Sequence, residues 1–134
     1  MTDNNNDLVK EWYRFAMMDL TTAQHLYDTL YPKPLEIICY HCQQAAEKLL
    51  KGFLISNNID APKTHDLQLL RIMCVDINDQ FNDLENVCKE LNPYGVQPRY
   101  PNEIEVLEND AEKALENVQK MIKFFEAQGI VICP

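Results

Sequence analysis

The stretch from Leu35 to Ser56, Leu-Glu-Ile-Ile-Cys-Tyr-His-Cys-Gln-Gln-Ala-Ala-Glu-Lys-Leu-Leu-Lys-Gly-Phe-Leu-Ile-Ser, constrains this chain more than any other. At about 100° per residue, Ile38, Cys42, Ala45, Leu49 and Phe53 fall on one line, and Cys39, Ala46 and Leu50 widen it into a broad apolar face. A face of that width needs cover from several neighbours, so the stretch reads as the central helix of a helical domain. Gln44, Glu47, Lys48 and Lys51 lie opposite and read as a solvated face. Glu47 precedes Lys51 by four residues, the orientation that favours a weak helical ion pair.

Four further helical segments flank it. Upstream, after a polar leader over residues 1–7 expected to be disordered, Trp12, Phe15, Ala16, Leu20, Ala23, Leu26, Tyr27 and Leu30 recur with helical spacing from Leu8 to about Leu30. Asp19 falls on or beside that stripe, where a carboxylate needs a partner or an edge position. Tyr31-Pro32-Lys33-Pro34 ends the segment, and so short a link predicts that the first and central helices form an antiparallel hairpin. Downstream, Asn57 to Lys63 is rich in turn residues, and Thr64 is placed to cap a third helix with Asp66 near its positive end. Leu67, Leu70 and Cys74 form its inner face. After a break around Val75 to Asp79, Phe81, Leu84, Val87 and Leu91 mark a fourth helix.

Asn92 to Pro101 holds three prolines and a glycine and is a loop. Its Tyr94, Arg99 and Tyr100 are able to stack on a base, hold a phosphate or lock the loop to the core. Asn102 with Glu105 resembles a capping box for the last helix, whose inner face is Ile104, Leu107, Ala111, Leu115, Val118, Ile122 and Phe125. The expected fold is therefore all-α, an up-and-down antiparallel bundle of four to five helices in one domain spanning 1–134.

Composition bounds the function. The net charge of -9 opposes broad contact with nucleic acid, so any RNA site must be a local patch. No apolar run approaches the roughly 20 residues that span a membrane, and the start lacks the basic and apolar sections of a secretion signal. A soluble, cytoplasmic protein is expected, with the five cysteines (Cys39, Cys42, Cys74, Cys88 and Cys133) as reduced thiols. The central helix's wide apolar face, thinly covered by a small bundle, also favours a dimer.

Cys39-Tyr40-His41-Cys42 has a redox or metal look, yet both cysteines sit inside a helix on its apolar side and no second pair completes a zinc set, so it reads as core packing. No metal or cofactor is expected. His25 reads as a surface residue. His65, at a helix start beside Asp66, suits a cap, a ligand or an acid-base group, and a local structural role is the first reading.

Taken together, Gln44-Ala45-Ala46-Glu47-Lys48-Leu49-Leu50-Lys51, then Lys63-Thr64-His65-Asp66-Leu67, then Arg99-Tyr100-Pro101, with Ala16, Asp19-Leu20 and Ala23 ahead of them, resemble the HEPN domain family (higher eukaryotes and prokaryotes nucleotide-binding). The resemblance runs from about Trp12 to Phe125. It implies an all-α bundle, often a homodimer, encoded in prokaryotes beside a minimal nucleotidyltransferase as a toxin-antitoxin-like pair. Many members of the family are metal-independent RNases using an arginine followed by a histidine four to six residues later, joined across the dimer. None of Arg14, Arg71 or Arg99 has a histidine in that window, which leaves enzymatic activity open.

The leading reading is a helical binding module associated with nucleotide or RNA, using Lys48, Lys51, His65, Arg99 and Tyr100, with Asp19, Glu47 and Asp66 as structural polar residues. A divergent RNase drawing on Arg99 with His65, or with His41 if it approaches in space, and a purely structural dimerisation or partner-binding domain, are the alternatives. For Arg99 an internal pairing with Asp19 or Glu47 is preferred over an external anion.

Overall fold

The computed structural model describes residues 3–95 and 105–132. Among them are five α-helices: α1 Asp3–Thr29, α2 Leu35–Ser56, α3 Leu67–Val75, α4 Glu85–Leu91 and α5 Glu108–Ala127. Short 3₁₀ turns at Asp79–Leu84 and Asn92–Tyr94 flank α4. Among the described residues there is no strand, and no helix is long and apolar enough to cross a membrane.

The central helix lies where its apolar face requires. Ile38, Cys39, Cys42, Ala45, Ala46, Leu49, Leu50 and Phe53 are all buried by α1, α3, α4 and α5 of the same chain. Cover for this face is complete within one chain, which corrects the expectation of thin cover and removes it as a reason for a dimer. Four of the cysteines lie in the core as free thiols. Burial pushes Cys39, Cys74 and Cys88 up to about 12, and Cys42 higher still.

Helix α1 begins earlier than its apolar period indicates, so residues 3–7 are helical rather than a leader. Its buried line is Val9, Tyr13, Ala16, Leu20 and Ala23. The expected stripe is therefore displaced at one end: Trp12 is half-buried, and Phe15 stands at the edge, 45% exposed. Tyr13 takes the inward place because it meets a hole. A Cβ built on Gly52 of α2 would lie 2.5 Å from Tyr13 Cε1, so only a glycine lets the ring lie against the helix there. Tyr13 continues into an aromatic cluster in which Phe81 sits 4.5 Å from Phe53 and 4.9 Å from Phe124, centroid to centroid.

The link after α2 determines where the site will be. Asn58 adopts the left-handed conformation (φ 63). The Asn58 N–H donates to Ile55 O and the Ile59 N–H to Leu54 O, a Schellman motif. The chain thereby turns and climbs back along α2, so that α3 runs in the same sense as α2, while α1/α2, α3/α4 and α4/α5 are antiparallel. The cap of α3 is Asp66, not Thr64: Asp66 Oδ1 accepts from the Gln68 and Leu69 N–H groups, and Thr64 Oγ1 accepts from the Asp66 N–H. The predicted break after α3 is present, filled by a turn and the 3₁₀ segment. At α5 the expected box gives way to a later start, where Asp110 accepts from the Leu107 N–H at 2.9 Å, and Leu107 itself is exposed. Asn102 and Ile104 lie outside the described residues.

Gly52→Ala raises helix propensity by about 1 kcal/mol yet forces a methyl group into the Tyr13 ring. The variant should lose about 1–3 kcal/mol net of stability, seen as a lower denaturation midpoint, and a midpoint at or above the parent's would refute the tight contact.

Candidate functional site

The polar side of α2 is not a solvated face. His41, Lys48, Gln44, Lys51, Glu47 and Gln43 follow one another around a single arc of the helix, and Gln43, Gln44, Glu47 and Lys51 are buried. Helix α1 closes one flank of the arc with Asp19, Phe15 and Trp12. The returning link closes the other with His65. Water cannot satisfy groups covered in this way, so each must find a partner in the protein.

Two carboxylates do most of the pairing. Asp19 of α1, buried, holds His41 Nδ1 at 2.9 Å through one oxygen and Lys48 Nζ through the other. Glu47 of α2, also buried, holds His65 Nδ1 at 2.8 Å and Lys51 Nζ at 3.1 Å. The Glu47–Lys51 pair is the one its spacing predicted, but buried rather than exposed. Each carboxylate thus bridges one lysine and one histidine. A carboxylate only accepts, so Nδ1 of each ring carries the hydrogen and Nε2 of the neutral ring is left as an acceptor. The side chain of His65 is 67% exposed and that of His41 27%, while those of Lys48 and Lys51 are 25% and 9% exposed.

Amides fix the frame. Gln43 Nε2 donates to the His65 carbonyl at 2.8 Å, and Gln43 Oε1 accepts from Gln44 Nε2. Asn92 accepts from the Leu67 N–H and donates to Asp66 Oδ1, so α3 is pinned immediately after His65. Aromatic rings border the lysines: Lys51 Nζ lies 5.9 Å from the Trp12 ring and Lys48 Nζ 6.0 Å from the Phe15 ring. Phe15 also carries the Arg14 guanidinium at 4.8 Å.

Of the residues singled out in the sequence, Lys48, Lys51, His65, Asp19 and Glu47 come together on this face. Asp66 does not join them; it is the α3 cap. Arg99 and Tyr100 lie outside the described residues, so the expected pairing of Arg99 with Asp19 or Glu47 does too. Both carboxylates have other partners. Three further members join the face: His41, read chiefly with its neighbouring cysteines as core packing and only conditionally as a proton-moving group, and the amides Gln43 and Gln44, which were missed. The cysteine reading holds, since Cys39 and Cys42 face inward, but His41 turns the other way. The available signal was its position two helical turns before Lys48, on the same side. Chemically, the face offers two lysine ammonium groups and two carboxylate-held imidazoles, which suits gripping a phosphate or moving a proton.

Comparison with known proteins agrees with this architecture. The model of the HEPN domain family matches residues 9–128. The crystal structure of TT1696 from Thermus thermophilus is similar at 26% identity and a TM-score of 0.73, over 89% of this chain and 96% of that one. ST0689, an archaeal HEPN homologue, shares the fold at 23% identity and a TM-score of 0.68, over 90% of this chain and 96% of its own. No curated protein matches. With a family model spanning nearly all of the bundle and its site, the chain belongs to the HEPN domain family.

Proposed function

We propose that this protein is a nucleotide- or RNA-binding helical module and that the polar arc of α2 is its contact surface. One observation carries the reading: on a chain of net charge -9, Lys48, Lys51, His41 and His65 are gathered on one face, beside Trp12 and Phe15. Phosphate binding takes local cations, and base contact takes half-exposed rings. A fluorescent single-stranded RNA should bind with a steep salt dependence, and Lys48→Gln should weaken binding about tenfold, the loss of one charge contact, in a variant that stays folded but melts lower because Asp19 loses its lysine. Equal affinity in the variant would remove this face from the function.

A second reading, divergent RNA cleavage, draws support from the two carboxylate-held imidazoles. One neutral Nε2 takes the proton of a 2′-hydroxyl as that oxygen attacks phosphorus. The other ring, protonated, gives its proton to the 5′-oxygen as the P–O5′ bond breaks, while the lysines steady the phosphate charge. The products are a 2′,3′-cyclic phosphate and a 5′-hydroxyl. With RNA and a chelator present, these ends should accumulate with the parent and not with His65→Asn; intact RNA after long incubation would eliminate cleavage and leave binding standing.

The family resemblance also supports a homodimer and a nucleotidyltransferase partner in a toxin-antitoxin-like pair. The surface best suited to such assembly is α1, where Leu8, Phe15 and Met18 are each close to half exposed along one side of the helix. Sedimentation at tens of micromolar should give a dimer that Phe15→Glu dissociates. A parent monomer with no nucleotidyltransferase recovered from the native host would overturn the assembly reading.

A further inference from the structure

We propose that the polar face is proton-gated: it takes up a phosphodiester backbone weakly while His41 and His65 are neutral and tightly once both are protonated. The inference rests on the binding function proposed above and concerns how that same site is regulated.

Hydrogen bonds fix which nitrogen of each ring is free to change. Nδ1 of His41 lies 2.9 Å from Asp19 Oδ1, and Nδ1 of His65 lies 2.8 Å from Glu47 Oε1. Each Nδ1 therefore donates to a carboxylate, and the titrating nitrogen is Nε2. In the neutral ring Nε2 carries a lone pair, which repels a phosphate oxygen; in the protonated ring it is an N–H donor. One proton thus changes both the charge and the hydrogen-bonding sense of the group.

The fixed charges around the rings make the change count. On α1 the facing group is Asp19, and on α2 they are Glu47, Lys48 and Lys51, with the Tyr40 ring 5.6 Å from that of His41. On the link, His65 is flanked by Lys63 and Thr64 on one side and by Asp66, engaged in capping α3 and accepting from Asn92, on the other. Lys48 and Lys51 offset Asp19 and Glu47, so the two triads together carry no net charge while the rings are neutral. Uptake of two protons makes the same face carry two positive charges. Both pairs already have their carboxylates in place, so the charged rings need no rearrangement of α1 or α2.

The test uses a fluorescent 2′-O-methyl oligouridylate of about ten nucleotides, which cannot be cleaved by its own 2′-oxygen. Anisotropy is read at about pH 5.5 and about pH 8, with melting curves at both values. The parent should bind about tenfold or more tightly at the lower pH, the gain expected from two added charges beside phosphate. His41→Asn and His65→Asn keep a donor for the carboxylate but cannot take up the proton. Each should lose about half of the gain on a logarithmic scale, and the double variant should bind equally at both values. His25→Asn, at a site on α1 away from the face, should keep the full pH response. Binding that is equal at the two values in the parent would overturn the gate and leave the binding function intact. A pH response surviving in the folded double variant would also overturn it, and absence of binding at both values would sink the binding function together with its gate.

Discussion

Asp19 and Glu47 are carboxylates set into helix packing, and removing them from water is tolerable only if cations and donors meet them there. That requirement fixes the geometry of half the molecule. Asp19 must lie across from both His41 and Lys48, two turns apart on α2, and only one antiparallel offset of α1 against α2 allows it. The same offset seats Tyr13 against Gly52 and Trp12 beside Lys51. Glu47 has Lys51 on its own helix, but its second oxygen needs a donor from elsewhere. The Schellman turn at Asn58 supplies it by returning the chain along α2 until His65 arrives.

The supporting contacts form a hierarchy. Gln43 is wholly buried, bonded on one side to the His65 carbonyl and on the other to Gln44. Gly95, at the end of the described part of the following loop, packs against it, with room for a Cβ only at 3.1 Å from Gln43 Nε2. One amide therefore ties together the central helix, the link that carries His65 and the approach to the proline-rich segment. Below this level the aromatic cluster around Phe81, on the inner side of α1 and α2 beside Gly52, holds α1, α2 and α5 at the spacing the polar face needs.

Much of the fold was legible because helices with one apolar face announce themselves by period. The inner face of α2, the hairpin with α1 and the break after Val75 follow from spacing and proline placement alone. Where the reading slipped, two local patterns competed. In α1 the large residues Trp12 and Phe15 suggested the inward stripe, but the hole at Gly52 selected Tyr13, and a glycine on another helix leaves no mark in the α1 period. At α3 and α5 several polar residues stood close enough to cap; Asp66, also held by Asn92, and Asp110 took the bonds. The site was half legible: its lysines and His65 were visible as residue types, while the burial of Gln44, Glu47 and Lys51 was not. A polar arc on an amphipathic helix looks the same in sequence whether water or another segment covers it.

That burial dissolves the opposition between a structural and a functional role for these residues. Removing one member of a buried pair strands its partner and typically costs about 3–5 kcal/mol, so Asp19, Glu47 and Lys51 are held by folding whatever the face binds. His65 differs, because its ring is mostly outside while its Nδ1 and its carbonyl are both anchored. A residue needed only to satisfy Glu47 would gain by being covered, and one needed only for solubility would gain nothing from two anchors. An imidazole fixed at one nitrogen and offered to solvent at the other is the arrangement that serves a ligand. The buried charges of the bundle are accordingly the support, and His65, anchored yet exposed, is the residue on which the binding proposal leans most directly.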